Sequence, residues 1–276
     1  MAKWPFVKKS AAKVSESELI QWQEHLIDIL NGSADVTLKY FRQHFDVDNK
    51  LDAGFDPVTV ADRECESYID NKLQRLFPSH SMFGEETGYR DVGGELCWVV
   101  DPIDGTRSFI CGVPLWGTLM ALNDGKKPIL GAMYQPWSGE LFVGSRLGAF
   151  FHRAGQSSVL KTSNVQTVAE AKLACTAIEI FEEPSALARF QALAADVRLQ
   201  RFGTDCYGYA LLAQGGVDLV VEDSLQPYDI QAMIPIIEAA GGVITDWQGG
   251  DASLGGQVVA AANAQLHADA LRYLSK

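Results

Sequence analysis

Apolar residues recur at helical spacing from about Ser15 to Phe45: Leu19, Trp22, Leu26, Ile29 and Leu30, then Val36, Leu38, Phe41 and Phe45. Asn31-Gly32-Ser33 interrupts them, which predicts two helices. The spacing resumes after Thr59, where Cys65, Tyr68, Ile69, Leu73 and Leu76 share one face of a helix predicted to reach about Phe77. Thr59 is the expected N-cap, with Asp62 three residues on as its capping partner. The period then shortens. A strand at 80–83 breaks at Gly84 into Glu85-Glu86, and Trp98-Val99-Val100 reads as a second short, buried strand. Segments near 116–122, 129–135, 140–144 and 149–152, punctuated by Gly, Pro, Asn and Asp, fit an antiparallel sheet. From about residue 172 strands and helices alternate: a strand at 172–176, a helix from Pro184 to about Ala195, a strand at 198–202, a helix at 205–214 and a strand at 217–221. Helical spacing returns over Ile230–Ala240 and stops at Gly241-Gly242. The pattern predicts an α+β half, 1–155, and an α/β half, 156–276, packed as one unit because no long flexible linker separates them.

Charge changes this picture where strands end. Asp101 and Asp104 follow Trp98-Val99-Val100 directly, split by Pro102 and followed by Gly105-Thr106. Two carboxylates this close repel unless a cation lies between them, and hard oxygen ligands suit Mg²⁺, which shares its shell with waters and phosphate. The Gly105-Thr106 turn offers backbone N–H groups to an anion. On these residues alone the stretch is equally a polar turn. Neighbouring residues leaving a strand point in opposite directions, so one of Glu85 and Glu86 can face the Asp101/Asp104 turn. Asp229, after Pro227, is either a favourable charge at a helix start or a further metal carboxylate.

Bulk properties exclude more than they assign. The 276 residues carry a formal charge of −12, which argues against a nucleic-acid surface. The beginning of the chain has no signal-peptide run and no stretch is apolar enough to span a bilayer, so a cytoplasmic protein without membrane contact is expected. The five cysteines, Cys65, Cys97, Cys111, Cys175 and Cys206, have no zinc-site or disulfide spacing and read as small buried hydrophobes. His25 and His44 read as surface or interface residues.

Taken together, Gly84-Glu85-Glu86, the stretch from Trp98 to Thr106, and Tyr228-Asp229 followed by an apolar helix and Gly241-Gly242-Val243-Ile244-Thr245-Asp246 resemble the inositol monophosphatase superfamily. The resemblance runs from about Asp56 to Trp247. It implies a layered αβαβα sugar-phosphatase fold, a phosphomonoesterase using two or three Mg²⁺ ions, a small phosphate ester as substrate, and commonly a homodimer. Carried over by position, Glu85, Asp101, Asp104, Asp229 and the Ile103 carbonyl match metal ligands. Thr106 and Asp62 match the pair that orients the nucleophilic water, with Glu86 counted beside them as catalytic; Gly105 and Thr106 match phosphate contacts, and Glu222 a substrate-hydroxyl contact.

Within that superfamily, Arg201-Phe202-Gly203-Thr204-Asp205-Cys206-Tyr207-Gly208-Tyr209, Leu225-Gln226-Pro227-Tyr228-Asp229 and the segments from Arg107 to Gly112 and Leu115 to Leu119 are more similar to the histidinol-phosphate phosphatases. Inositol phosphatases tend to carry a small neutral residue where this chain has Asp205. That similarity implies histidinol phosphate as substrate, with Gly203, Thr204, Asp205 and Glu222 as substrate-pocket residues. Asp205 as an ordinary N-cap, an inositol phosphatase, a phosphatase of a nucleotide or fructose bisphosphate, and a non-catalytic metal-binding protein are the alternatives.

Overall fold

The computed structural model describes residues 4–43, 47–49 and 57–275. His44, Phe45 and Asp56 lie outside them. The chain opens with one helix, α1 (Glu16–Thr37), capped by Ser15 and Glu18, where two helices are predicted. Asn31-Gly32-Ser33 does not break it. Gly32 is there for close packing: a Cβ at that position would overlap the hydroxyl of Tyr68 on the neighbouring helix. A short pair, β1 (Val47–Asn49) and β2 (Pro57–Thr59), leads into α2 (Val60–Leu76), whose Thr59/Asp62 capping box forms as predicted. Leu76 is exposed and Phe77 takes the buried place expected of it.

The middle of the chain supplies β3 (Ser81–Gly84), β4 (Gly88–Arg90), β5 (Cys97–Asp104), the short α3 (Thr106–Ile110), β6 (Gly117–Asn123), β7 (Pro128–Gln135), β8 (Glu140–Ser145), β9 (Gly148–Arg153) and β10 (Gln156–Val159). These strands form an eight-stranded sheet in the order β10-β9-β8-β7-β6-β5-β3-β4. Strand β5 runs four residues past the predicted Val100, yet its register with β6 shifts between Asp101 and Asp104. Pro102, which has no N–H for the ladder, falls within that break.

The remainder builds β11 (Lys172–Cys175), α4 (Pro184–Asp196), β12 (Leu199–Phe202), α5 (Asp205–Ala213), β13 (Leu219–Leu225), α6 (Pro227–Ile230), α7 (Met233–Ala239), β14 (Val243–Asp246), β15 (Gly256–Ala261) and α8 (Ala264–Leu274). The second sheet has the order β12-β11-β13-β15-β14. Strand β13 starts and ends later than predicted, and the expected helix over 230–240 is two short helices instead of one.

Side-chain alternation then fixes the layers. Met82, Trp98, Val100, Met120 and Leu122 face α1 and α2, while Phe83, Cys97, Val99, Leu119 and Ala121 face a central layer of α5, α6 and α7. The far side of that layer meets Val220, Val258 and Ala260, and the opposite face of the second sheet packs on α4 and α8. The order is αβαβα. Burial on both faces explains why Trp98-Val99-Val100 is uninterruptedly apolar. Four of the five cysteines are buried, but Cys111 is exposed, so apolar burial does not account for it. His25 is half-buried, edge-on to Phe77. Among the described residues no helix is long and apolar enough to cross a membrane.

Candidate active site

The ends of both sheets open on one cavity of about 480 Å³. Its lining brings together Glu85, Asp101, Ile103, Asp104, Gly105, Thr106 and Asp229, and on the other side Asp205 and Glu222. Carboxylate oxygens of Asp101, Asp104 and Asp229 lie within 4.8 Å of one another. The register break in β5 is what turns Asp101 and Asp104 into the same space, since a bulge re-aims side chains that strict alternation would separate.

Each carboxylate is held by the backbone. Asp101 Oδ1 accepts the Ile103 N–H at 3.0 Å, and Asp229 Oδ2 accepts the Gln226 N–H at 2.7 Å. Asp104 Oδ2 accepts the Cys206 N–H at 2.7 Å, so a carboxylate of the first sheet caps α5 at the edge of the second. Burial, and then the charges of Glu85, Asp104 and Asp229, hold Asp101 well above the ordinary carboxylate range. Burial and the Asp104 charge do the same to Asp229. A divalent cation would relieve this repulsion, and all-oxygen donors converging at this separation fit Mg²⁺.

Thr106 follows Gly105, whose φ of +84° makes the turn into α3. Its Oγ1 donates to the Ile103 carbonyl at 3.0 Å. Asp62 is buried and outside the lining; its Oδ2 accepts from Thr59 N at 2.8 Å and Thr59 Oγ1 at 2.5 Å. Burial outweighs those bonds and lifts Asp62 to about 6, with the Glu86 charge adding to the rise. Glu86 is half-buried and also outside the lining.

On the opposite wall, Asp205 stands at the first position of α5 in a left-handed conformation, φ +44°. It makes no cap. The cap residue is Thr204, which makes no side-chain cap bond either, and Asp205 Oδ2 instead accepts from Ser108 Oγ at 3.0 Å. Burial and the Asp104 charge raise Asp205 to about 7. Glu222 Oε1 accepts from Thr176 N at 2.8 Å and Thr176 Oγ1 at 3.1 Å, while its buried Oε2 has no partner among the described residues. Gly203 and Thr204 are not among the lining residues.

Sequence reasoning missed Glu66. It is fully buried, its Oε2 accepts from Glu86 N at 2.9 Å, and its Oε1 accepts from Thr87 N at 2.7 Å and Thr87 Oγ1 at 2.5 Å. This grip shapes the turn that presents Glu85. Gly84 leaves room for it, because a Cβ there would overlap the Glu66 carboxylate. The signal was the placement of Glu66 four residues after Asp62, on the same helix face. Glu179 and Glu182, also in the lining, lie in the segment between β11 and α4.

A sequence model of the inositol monophosphatase family matches residues 18–276. The chain is 38% identical over 277 residues to "Bifunctional phosphatase IMPL2, chloroplastic" of Arabidopsis thaliana, covering 96% of this chain and 78% of that protein. It is 35% identical over 239 residues to the histidinol-phosphatase of Chlorobaculum parvum, covering 86% and 90%. Among solved structures it is similar to an inositol monophosphatase from Zymomonas mobilis, with a TM-score of 0.81 and 35% identity over 96% of this chain and 100% of that one.

Proposed function

The chain belongs to the inositol monophosphatase family of metal-dependent phosphatases, and from that premise we propose that it hydrolyses the phosphate monoester of a cationic alcohol, L-histidinol phosphate. The observation that carries the reading is the shared cavity: the triad Asp101, Asp104 and Asp229 opens on the same space as Asp205 and Glu222. The two or three Mg²⁺ ions expected there would offset the four carboxylates on the metal side. On the other wall Asp205, Glu222, Glu179 and Glu182 face the cavity, with Arg107 as the cation lining it. A cationic alcohol is attracted to such a wall, and a neutral one gains nothing from its charge.

Glu85, Asp101, Asp104, Asp229 and the Ile103 carbonyl would hold the Mg²⁺. Bound there, Mg²⁺ lowers the pKa of a water and steadies the leaving oxygen. Thr106 Oγ1 donates its O–H to the Ile103 carbonyl, so its lone pairs remain to accept a hydrogen bond from the attacking water and aim it. Asp62, held by the N–H and hydroxyl of Thr59, would help Thr106 orient that water. The Gly105 and Thr106 N–H groups would bind phosphate oxygens, since both residues line the cavity. Asp205 would pair with the substrate ammonium, in keeping with the relative named histidinol-phosphatase. An inositol phosphate is the second reading, favoured by the free Oε2 of Glu222, which can accept a hydroxyl.

Phosphate release from histidinol phosphate, inositol 1-phosphate, a nucleotide monophosphate and fructose 1,6-bisphosphate tests this. Histidinol phosphate should have the highest kcat/KM, with activity abolished by EDTA and restored by Mg²⁺. A preference for inositol phosphate would reject the substrate, and undiminished turnover in EDTA would reject the metal site.

A further inference from the structure

The segment from Trp4 to Val14 precedes α1 and the family match, and it plays no part in the chemistry above. It is nonetheless well packed. Phe6 is 1% exposed and belongs to the central core with Phe83. The Trp4 ring stands edge-on to Phe83, with centroids 5.5 Å apart, and edge-on to Phe6 at 6.1 Å. Further along, Lys8 N donates to Gly125 O at 3.3 Å and Ala12 N to Asp124 O at 2.8 Å. Arg146 Nη2 donates to Val14 O at 2.9 Å, and Ala12 and Val14 pack against the core on the α1/α2 side. The segment thus wraps from one face of the eight-stranded sheet to the other around the β6–β7 turn.

Its contact with Phe83 leads to the metal site. Phe83 lies two residues before Glu85 on β3, and its ring also meets Tyr228 at 5.9 Å; Tyr228 lines the cavity and immediately precedes Asp229. Glu85 and Asp229 are remote in sequence, and their like charges push their elements apart. Phe83 and Tyr228 join those two elements, and Trp4 packs against Phe83.

We propose that the N-terminal segment is a strap that steadies the elements carrying Glu85 and Asp229, with Trp4 as a positioning residue for metal binding. The proposal rests on the metal-site reading above. Ligands held together before the ion arrives need less ordering when it binds, so loosening the strap weakens Mg²⁺ affinity beyond any loss of stability.

The test is calorimetric titration of the metal-free full-length protein with Mg²⁺, beside its melting with and without Mg²⁺. Trp4→Ala should weaken binding about tenfold, the low end for residues that orient metal ligands, and should shrink the Mg²⁺-induced rise in melting temperature. Trp4→Phe, which keeps a ring, should recover most of the affinity. Val7→Ala, at a position 71% exposed in the same segment, should bind as wild type does. Leu274→Ala, buried in the far layer, should lower melting but leave Mg²⁺ affinity unchanged. Should Trp4→Ala fail to fold, Trp4→Leu is read the same way. Wild-type affinity in the Trp4 variant, or an equal affinity loss in Leu274→Ala, overturns the strap. A wild-type protein that binds no Mg²⁺ overturns the metal site itself, and the strap with it.

Discussion

In the eight-stranded sheet, β5 loses register with β6 between Asp101 and Asp104; in the five-stranded sheet, β13 loses register with β15 between Glu222 and Leu225. Both breaks face the same cavity, and both deliver carboxylates to it. They treat that charge differently. The first crowds Asp101 and Asp104 against Asp229, a cluster relieved by a dication. The second carries Glu222 and Asp223: both oxygens of Asp223 are taken, by Ser224 N and Gln257 Nε2, while Glu222 binds one oxygen to Thr176 and leaves the other for a donor. A strand irregularity is therefore a means of aiming charge, and what differs is how that charge is compensated: hydrogen-bond donors meet the carboxylates of the second break, while those of the first crowd a third carboxylate.

The largest expected effect separates these two uses. Asp229→Asn keeps size and removes one ligand charge, so turnover should fall by orders of magnitude. The metal-free melting temperature should hold or rise, because a repelling charge is gone. Were Asp229 only a favourable charge at the start of α6, the change would cost about 0.3–1 kcal/mol of stability with turnover intact. Steady-state kinetics beside melting tells these apart.

Next comes the turn that carries Glu85. Glu66→Ala strands the N–H groups of Glu86 and Thr87, and the half-saturating Mg²⁺ concentration should rise about 10- to 100-fold. An unchanged Mg²⁺ requirement would make Glu66 a purely structural anchor of α2.

On the second wall, Asp205→Ala should cost a cationic substrate about 2–5 kcal/mol, roughly 30-fold or more in affinity. A neutral aryl phosphate should be hydrolysed about as before. Equal losses on both substrates would remove Asp205 from specificity.

The smallest effect is in pH. Asp62 is raised to about 6 and Asp205 to about 7, chiefly by burial. Folded protein therefore holds protons that unfolded chain has released, and metal-free stability should fall as pH rises from about 4 to 7. Differential scanning calorimetry in EDTA should show melting temperature declining across that window, and a rise instead would contradict burial as the dominant influence on these groups.

What the sequence determined by itself is local chemistry. The Thr59/Asp62 cap, the carboxylates leaving β3 and β5, and the positions of strands β6 to β9 are legible because capping and alternation act over two to four residues. Tertiary structure decided the rest, through contacts that no short window contains. Gly32, a helix breaker by propensity, sits inside α1 because α2 packs too closely for a side chain. Asp104 caps α5, a helix a hundred residues away in the chain, and thereby takes the place that Asp205 would otherwise fill. Glu66 gains its partners only when the turn after β3 folds over it with three donors. Local patterns specify which groups end up at strand ends, but the burial that alters their charge and the partners that aim them exist only once both sheets have closed on the same cavity.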